Sequence, residues 1–308
     1  MKTMISTTMA LGWGLTLLAA SFSRLAVAQE IPINDDARKT HLKSEYSPYV
    51  DQHFPNRVFW GDTHCHTSFS FDAGFLTTLG PDVAYRFARG EEVTSTTGVR
   101  AKLQRPLDFL VVSDHAEFIG LPDMLREGNP DLLATEVGKR WHTMIQAGGR
   151  EAVKAGIEAV LAIFKRQEVY KDERITRSVW ERVTAIATKY NEPGKFTAFN
   201  GFEWTSAPGM GNNLHRVVIF RDGAERANKV VPFSAFDSEN PEDLWNYMAN
   251  YEQKTGGQIL AIPHNGNLSN GRMFALADLL GNPLTRAYAE TRSRWEPLAE
   301  VTANQGRQ

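Results

Sequence analysis

The sequence predicts an α/β fold with a mainly parallel sheet, and three observations carry that expectation. Short apolar runs of strand length recur along the chain, stretches with helical periodicity separate them, and breaks rich in Pro, Gly and Asn punctuate the junctions. A chain of 308 residues, 42% hydrophobic and 23% charged, is long and apolar enough for one or at most two domains with a sizeable core.

In chain order, a lysine at position 2, an apolar stretch from Ala10 to Ala20 and the small-x-small triplet Ala26-Val27-Ala28 read as a secretory signal over 1–28, cut after Ala28. The apolar stretch falls short of the roughly 20 residues that span a bilayer, so an exported protein, periplasmic or secreted and with no stable membrane anchor, is expected. Residues 29–56 are polar, hold Pro32, Pro48 and Pro55 and show no sustained period, which predicts an extended arm. The domain then occupies 57–308. Its expected strands are RVFWGD, LDFLVVSD, KFTAFNGFEW, HRVVIF and QILAIPH.

The strongest helical signal runs from Asp131 to Tyr190. Val153, Ile157, Val160, Leu161 and Phe164 form one apolar stripe there, and Val179, Val183, Ile186 and Tyr190 form another, closed by the stop signal NEPG. A further helix is expected from Pro241, capped by Asn240, with Leu244, Trp245, Met248 and Tyr251 on its inner face and Gly256-Gly257 as its end.

The near-neutral formal charge of −2 excludes a strongly basic nucleic-acid surface. The single cysteine, Cys65, permits no internal disulfide, and its place between two histidines fits a catalytic thiol poorly. Nucleotide-binding loops and a G-x-S-x-G elbow are absent from the sequence.

The chemistry lies in the histidines. Of eight, His64, His66, His115, His215 and His264 fall at or beside the ends of expected strands, while His41, His53 and His142 do not. In GDTHCHTSFSFD, a spacing of two sends His64 and His66 to the same side of an extended chain, a good chelate for one ion; Asp62 is expected to hold a ligand imidazole and Asp72 to add an oxygen. Asp114 and His115 leave a buried run, where unpaired polar groups are costly. Glu203 leaves another. His264 sits in a turn after LAIP, and His215 stands at the start of a strand rather than its end, which makes it the weakest of the five. Taken together, these nitrogen and oxygen donors point to Zn, Mn or Fe, with two or more ions plausible and Glu203 as a bridge. Arg57, Arg86, Arg89, Arg105 and Arg216 are candidates to clamp a small anionic substrate.

The segments GDTHCHTSFSFDAG, YRFARGEEVTSTTG, RPLDFLVVSDHAEFIGL, PGKFTAFNGFEWTS, NNLHRVVIFRD and LAIPHNGNLSNG, in that order between Val58 and Thr302, resemble the bacterial domain-of-unknown-function 3604 (DUF3604) family. That family is a branch related to the polymerase-and-histidinol-phosphatase (PHP) metalloenzymes. The resemblance implies a distorted β/α barrel, here with a helical insertion around 131–190, and a centre of two or three metals in enzymes that are mostly phosphoesterases. It matches His64 and His66 to the opening H-x-H, Asp72 to a ligand that is often histidine, His115 to a strand-end histidine, Glu203 to the bridging glutamate, and His215 and His264 to two later histidines. The relatives close their centre with a late Asp-x-His, and no such motif follows His264. The likeness stops near EVT at 300–302, so the resemblance implies a barrel cut short at its C-terminus. One site, built from Glu203, His215 and His264, would be complete and the others would each lack a ligand.

The expected function is an exported metal-dependent hydrolase of phosphate or related esters that uses metal-activated water, with Asp114 or His115 handling protons. The alternative is a non-catalytic remnant that holds at most one ion or a small anion.

Overall fold

The computed structural model describes residues 57–301 apart from 170, 171 and 210. The expected signal sequence, the arm, His41, His53 and residues 302–308 lie outside the described residues.

Seven strands and nine helices are formed among the described residues. In chain order they are β1 (Gly61–Cys65), α1 (Pro81–Ala88), β2 (Val93–Thr94), β3 (Arg100–Ala101), β4 (Phe109–Val112), α2 (Leu121–Glu127), α3 (Pro130–Leu133), α4 (Glu136–Ala147) and α5 (Gly149–Phe164). Then follow α6 (Glu173–Tyr190), β5 (Thr197–Trp204), β6 (Arg216–Phe220), α7 (Ala224–Ala227), α8 (Pro241–Thr255), β7 (Ile259–Pro263) and α9 (Arg286–Trp295). The main sheet has the order β1-β4-β5-β6-β7 and curls like half a barrel, while β2 and β3 form a small separate hairpin.

The expectation of a mainly parallel sheet needs correction. β1 pairs with β4 and β4 with β5 in parallel, but β6 is antiparallel to both β5 and β7, so half of the pairings are reversed. Among its described residues the 205–215 connection from β5 carries no strand or helix, and it returns the chain directly alongside itself, which only an antiparallel neighbour allows.

The first strand also starts later than expected. Val58, Phe59 and Trp60 are 66%, 44% and 58% exposed, and pairing begins at Gly61 opposite Phe109. The Phe109 ring would lie 2.4 Å from a Cβ at position 61, so a side chain there would break the pairing.

The helical segment forms as expected, with four helices between Pro130 and Tyr190. Asp172 caps α6 by accepting from the Arg174 N–H, and α6 buries Val179, Val183 and Tyr190 as its stripe predicts. The stripe assigned to α5 holds only in part: Val160 packs partly buried against the core, but Val153, Ile157 and Leu161 are exposed, and the helix buries Ala152, Ala155, Ala159, Ala162 and Ile163 instead. Small residues let the helix approach closely, and a Cβ at Gly156 would stand 3.1 Å from Phe75. Proximity wins here over side-chain size.

α8 matches its prediction throughout. Asn240 accepts from the Glu242 N–H, Leu244, Trp245, Met248 and Tyr251 are buried, and Gly256 ends the helix at φ 63°, in the left-handed region that glycine adopts without strain. The main core lies between α6, α8 and the convex face of the sheet, where Trp180, Phe202, Trp204 and Phe220 are fully buried. Each such side chain contributes roughly 1.5–3 kcal/mol relative to exposure. On the concave face a smaller cluster of Val111, Val217, Ile219 and Ile262 forms.

Candidate metal centre

Alternation along β5 settles which side the chemistry faces. Phe202 and Trp204 point into the helix-side core, so Glu203 between them points to the concave side, where its carboxylate is 1% exposed. Pairing of β4 with its neighbours continues beyond its last residue, because Ser113 N–H donates to Cys65 O, Glu203 N–H to Asp114 O and Ala116 N–H to Glu203 O. That continuation brings His115 beside Glu203.

The reversed β6 explains the histidine that was hardest to place. Its first residues lie at the same edge of the sheet as the last residues of β5 and β7, with Arg216 opposite both Trp204 and Pro263. His215, at a strand start, therefore joins side chains that stand at strand ends. His264 follows β7 directly, and its N–H donates to His215 O at 3.0 Å.

Four imidazoles form one connected cluster around Glu203. Its Oε2 lies 3.2 Å from His64 Nε2, 2.9 Å from His66 Nε2 and 3.4 Å from His115 Nδ1, while Oε1 lies 3.1 Å from His215 Nδ1. Asp72, half exposed at the rim, has Oδ1 3.2 Å from His66 Nδ1 and Oδ2 3.6 Å from His115 Nε2. Among the described residues, four sets of three have donor atoms close enough to meet at one ion: His66, Asp72 and His115; His64, His66 and Glu203; His115, Glu203 and His215; and His64, His264 and Glu300. All donors are imidazole nitrogens or carboxylate oxygens, the set that suits Zn, Mn or Fe. The central carboxylate is shared by two of these sets.

Charge in the cluster is distributed unevenly. Burial works against a charged His64, yet contacts with Glu203 and Glu300 outweigh it and raise its pKa to about 9. Burial likewise opposes charge on His66, but Asp72 and Glu203 hold its pKa well above the usual imidazole value. The surrounding rings hold Glu203 and Asp72 ionised well below the usual carboxylate range, against the cost of desolvation. For His215 burial dominates and lowers the pKa to about 4.

Several expected roles are reassigned. The expected set Glu203, His215 and His264 is not one of the four: the His264 ring lies 5.8 Å from that of His215, and its donor atom groups with His64 and Glu300. Asp114 stands outside all four sets: its carboxylate accepts from Thr67 N–H at 2.5 Å and Thr67 Oγ at 2.7 Å, anchoring the turn after β1, and burial pushes its pKa up to about 6. Asp62 holds no imidazole; it accepts from the His64 backbone N–H at 2.8 Å. Cys65 packs on the opposite side, against the cluster of Tyr85, Leu110 and Ala198, and burial, reinforced by Asp114 and Asp62, pushes its thiol up to about 12. His142 lies away from the centre, with Nδ1 2.5 Å from Leu125 O.

The arginines do not gather at the centre. Arg86 pairs with Glu91, Arg89 with Glu192 and Arg216 with Glu296, Arg57 lies over the ring of Phe59, and Arg105 is exposed. A cavity of about 840 Å³ opens on the concave face toward the other end of the strands, lined by Phe109, Thr197, Arg221 and Ile259, and none of the donors borders it.

Sequence reasoning missed Glu300, Glu117 and Thr205. Glu300 Oε1 lies 2.5 Å from His64 Nδ1, and its Oε2 accepts from Asn265 N–H at 3.1 Å. A charged residue within the apolar run AEFIGL was the available signal for Glu117, since a charge in a buried run must be paired. A lone acid in LAEV gave no such sign.

A mixed α/β chain with a histidine–carboxylate centre at one edge of its sheet is thus the class that fold and site define. The chain belongs to the family described as protein of unknown function (DUF3604), which matches residues 53–308. Comparison with curated proteins finds no match, and neither does comparison with solved structures. Among the described residues no helix is long and apolar enough to cross a membrane.

Proposed function

We propose that this chain is a metal-dependent hydrolase of phosphate or related esters, exported through the N-terminal segment read as a signal sequence. The observation that carries the reading is Glu203, a fully buried carboxylate whose two oxygens face four imidazoles, with Asp72 and Glu300 on either flank. Burying so many ionisable groups together is expensive, and shared divalent cations would repay it. Likeness of the motifs to the PHP enzymes favours phosphoester substrates.

When bound, divalent ions supply Lewis acidity and an activated water at neutral pH. In this reading Glu203 bridges, and His64, His66, His115, His215 and His264 act as ligands with Asp72 and Glu300. Arg86, Arg89 and Arg216 are paired with other acids, so the charge that attracts an anionic ester would come from the bound ions. Asp72, half exposed at the rim, is the group placed to meet substrate protons.

The direct His64–Glu300 contact favours a second reading, in which the cluster is closed largely by its own hydrogen bonds and holds at most one ion without turnover. Metal content by plasma mass spectrometry, together with turnover of aryl phosphates before and after chelation, separates the two. Two or more equivalents that fall in Glu203→Gln, with chelator-sensitive turnover, support the hydrolase. Sub-stoichiometric metal unaffected by Glu203→Gln, or one equivalent without turnover, would sink the hydrolase and leave the second reading.

A further inference from the structure

Glu117 is a fully buried carboxylate that no step above uses. It follows His115 by two residues, in a turn where Phe118 holds the left-handed φ of 54°, a conformation that costs a non-glycine residue roughly 1–2 kcal/mol. The turn aims Glu117 inward. Its Oε1 accepts from the backbone N–H groups of Ala235 and, at 3.3 Å, Thr205, and its Oε2 accepts the Thr205 hydroxyl in a short bond. On the other side of that hydroxyl, Thr205 Oγ lies 2.6 Å from His115 Nδ1. Thr205 and His115 are 1% and 4% exposed, so water does not compete for these bonds.

A threonine hydroxyl has one proton to give. Since Glu117 takes it, Oγ faces His115 only with lone pairs, and Nδ1 must carry the imidazole proton. Glu203 Oε2, 3.4 Å from the same nitrogen, is a second acceptor and favours the same tautomer. The free lone pair of the ring is then on Nε2, which faces Asp72 Oδ2 at 3.6 Å. Stacking of the ring on Phe71, with centroids 4.4 Å apart, fixes its plane.

We infer that Glu117 and Thr205 are positioning residues, a carboxylate–hydroxyl relay that locks His115 in the Nδ1–H tautomer and commits its Nε2 to the ion position formed with His66 and Asp72. The inference rests on the metal-centre reading and resolves an ambiguity within it: His115 borders two of the four donor sets, and this relay assigns it to the rim set and withdraws it from Glu203 and His215. Carboxylates that orient ligand histidines from behind typically change metal affinity by 10–100-fold when removed.

The test compares the full chain with Thr205→Val, Thr205→Ser and Glu117→Gln. Imidazole ¹⁵N shifts in the metal-free protein read the His115 tautomer directly, and zinc titration reads the affinity. The expected result is Nδ1–H in the wild type and in Thr205→Ser. Thr205→Val should weaken the tautomer preference, leaving only the longer Glu203 contact to support it, and weaken zinc binding at one position by roughly 10–100-fold. Glu117→Gln should turn the hydroxyl around, because an amide N–H₂ facing Oγ donates to it, and so shift the imidazole proton to Nε2. A wild-type His115 protonated on Nε2 would overturn the relay, as would unchanged tautomer and affinity in Thr205→Val. Failure of the wild type to bind zinc, with the tautomer as expected, would instead remove the metal reading and the ligand role that rests on it.

Discussion

Glu296→Gln is the substitution whose cost the structure specifies most fully. The Glu296 carboxylate is 1% exposed; Oε1 accepts from Arg216 Nε at 3.0 Å and Trp245 Nε1 at 2.9 Å, and Oε2 from Arg292 Nε at 2.9 Å. Three elements meet there: the end of α9, the start of β6 and the inner face of α8. Burial lowers the Arg216 pKa against the pull of Glu296, but a guanidinium remains charged, so removing the acid leaves a cation that is 2% exposed without a counter-charge. Breaking a buried pair by removing one partner costs roughly 3–5 kcal/mol. Glutamine preserves the volume and one acceptor, which places the expected loss near the lower end, at about 3 kcal/mol. For a domain of this size that corresponds to a fall in Tm of roughly 6–12 °C. Urea denaturation followed by tryptophan fluorescence measures it. The double replacement Arg216→Met with Glu296→Leu should cost less than Glu296→Gln alone, because it removes both charges. A loss below about 1 kcal/mol for the single change, or a double loss equal to the sum of the singles, would refute the argument.

The other predictions can be checked on the same purified chain. Gly201→Ala would set a Cβ 2.4 Å from Val111 and 2.8 Å from the Val218 carbonyl, so it should cost roughly 1–3 kcal/mol in denaturation and lower metal content by displacing Glu203 two residues on. Val153→Lys and Ile157→Lys, on the exposed side of α5, should each stay within about 0.5 kcal/mol of wild type; a loss above 2 kcal/mol would restore the larger residues as the buried stripe. Hydrogen bonds from Lys189 and Tyr190 lower the Asp82 pKa below the usual carboxylate value. Its contribution to stability is therefore present above that value and lost as pH falls below it, and Asp82→Asn should flatten the acid limb of the stability profile.

What was legible in the sequence follows from how local each signal is. α8 could be read nearly residue by residue because Asn240, Pro241 and Gly256 punctuate a periodic run, and caps act over one turn. The donor histidines were legible because a strand of apolar residues that ends in a polar one has few places to put it. The direction of β6 was not, since period-two alternation is the same in either sense and only the partner strand fixes it. The buried face of α5 was misjudged because a large apolar residue looks more buried than an alanine, whereas the neighbour's distance decides the matter. Glu300 and Glu117 escaped notice for a third reason: each is a single acid whose partners, His64 and Thr205, are far away in sequence, at separations of 236 and 88.

The orientation of the centre is set by the core rather than by the donors. Side chains on a strand alternate, so a slip of one residue in β5 would turn Glu203 into the helix-side core and expel Phe202 and Trp204 from it. Losing the burial of both aromatics would cost roughly 3–6 kcal/mol, and an unpaired buried carboxylate on the apolar side would add more. Desolvating Glu203 on the concave side is unfavourable by itself, yet the register that imposes it is held by larger apolar terms on the other face. The same holds for His215, whose place beside Glu203 is fixed by the pairing of Val217 with Glu203 and of Arg216 with Trp204. Reversal of β6 thus does two things at once. It delivers His215 to the donor edge, and its preceding loop begins at Thr205, the hydroxyl that reads Glu117 on one side and His115 on the other. A single chain reversal supplies both a donor side chain of the cluster and, in the proposed relay, the group that orients another, so a lengthened 205–215 connection that preserved β6 pairing would be expected to spare His215 and disturb His115 only if it moved Thr205.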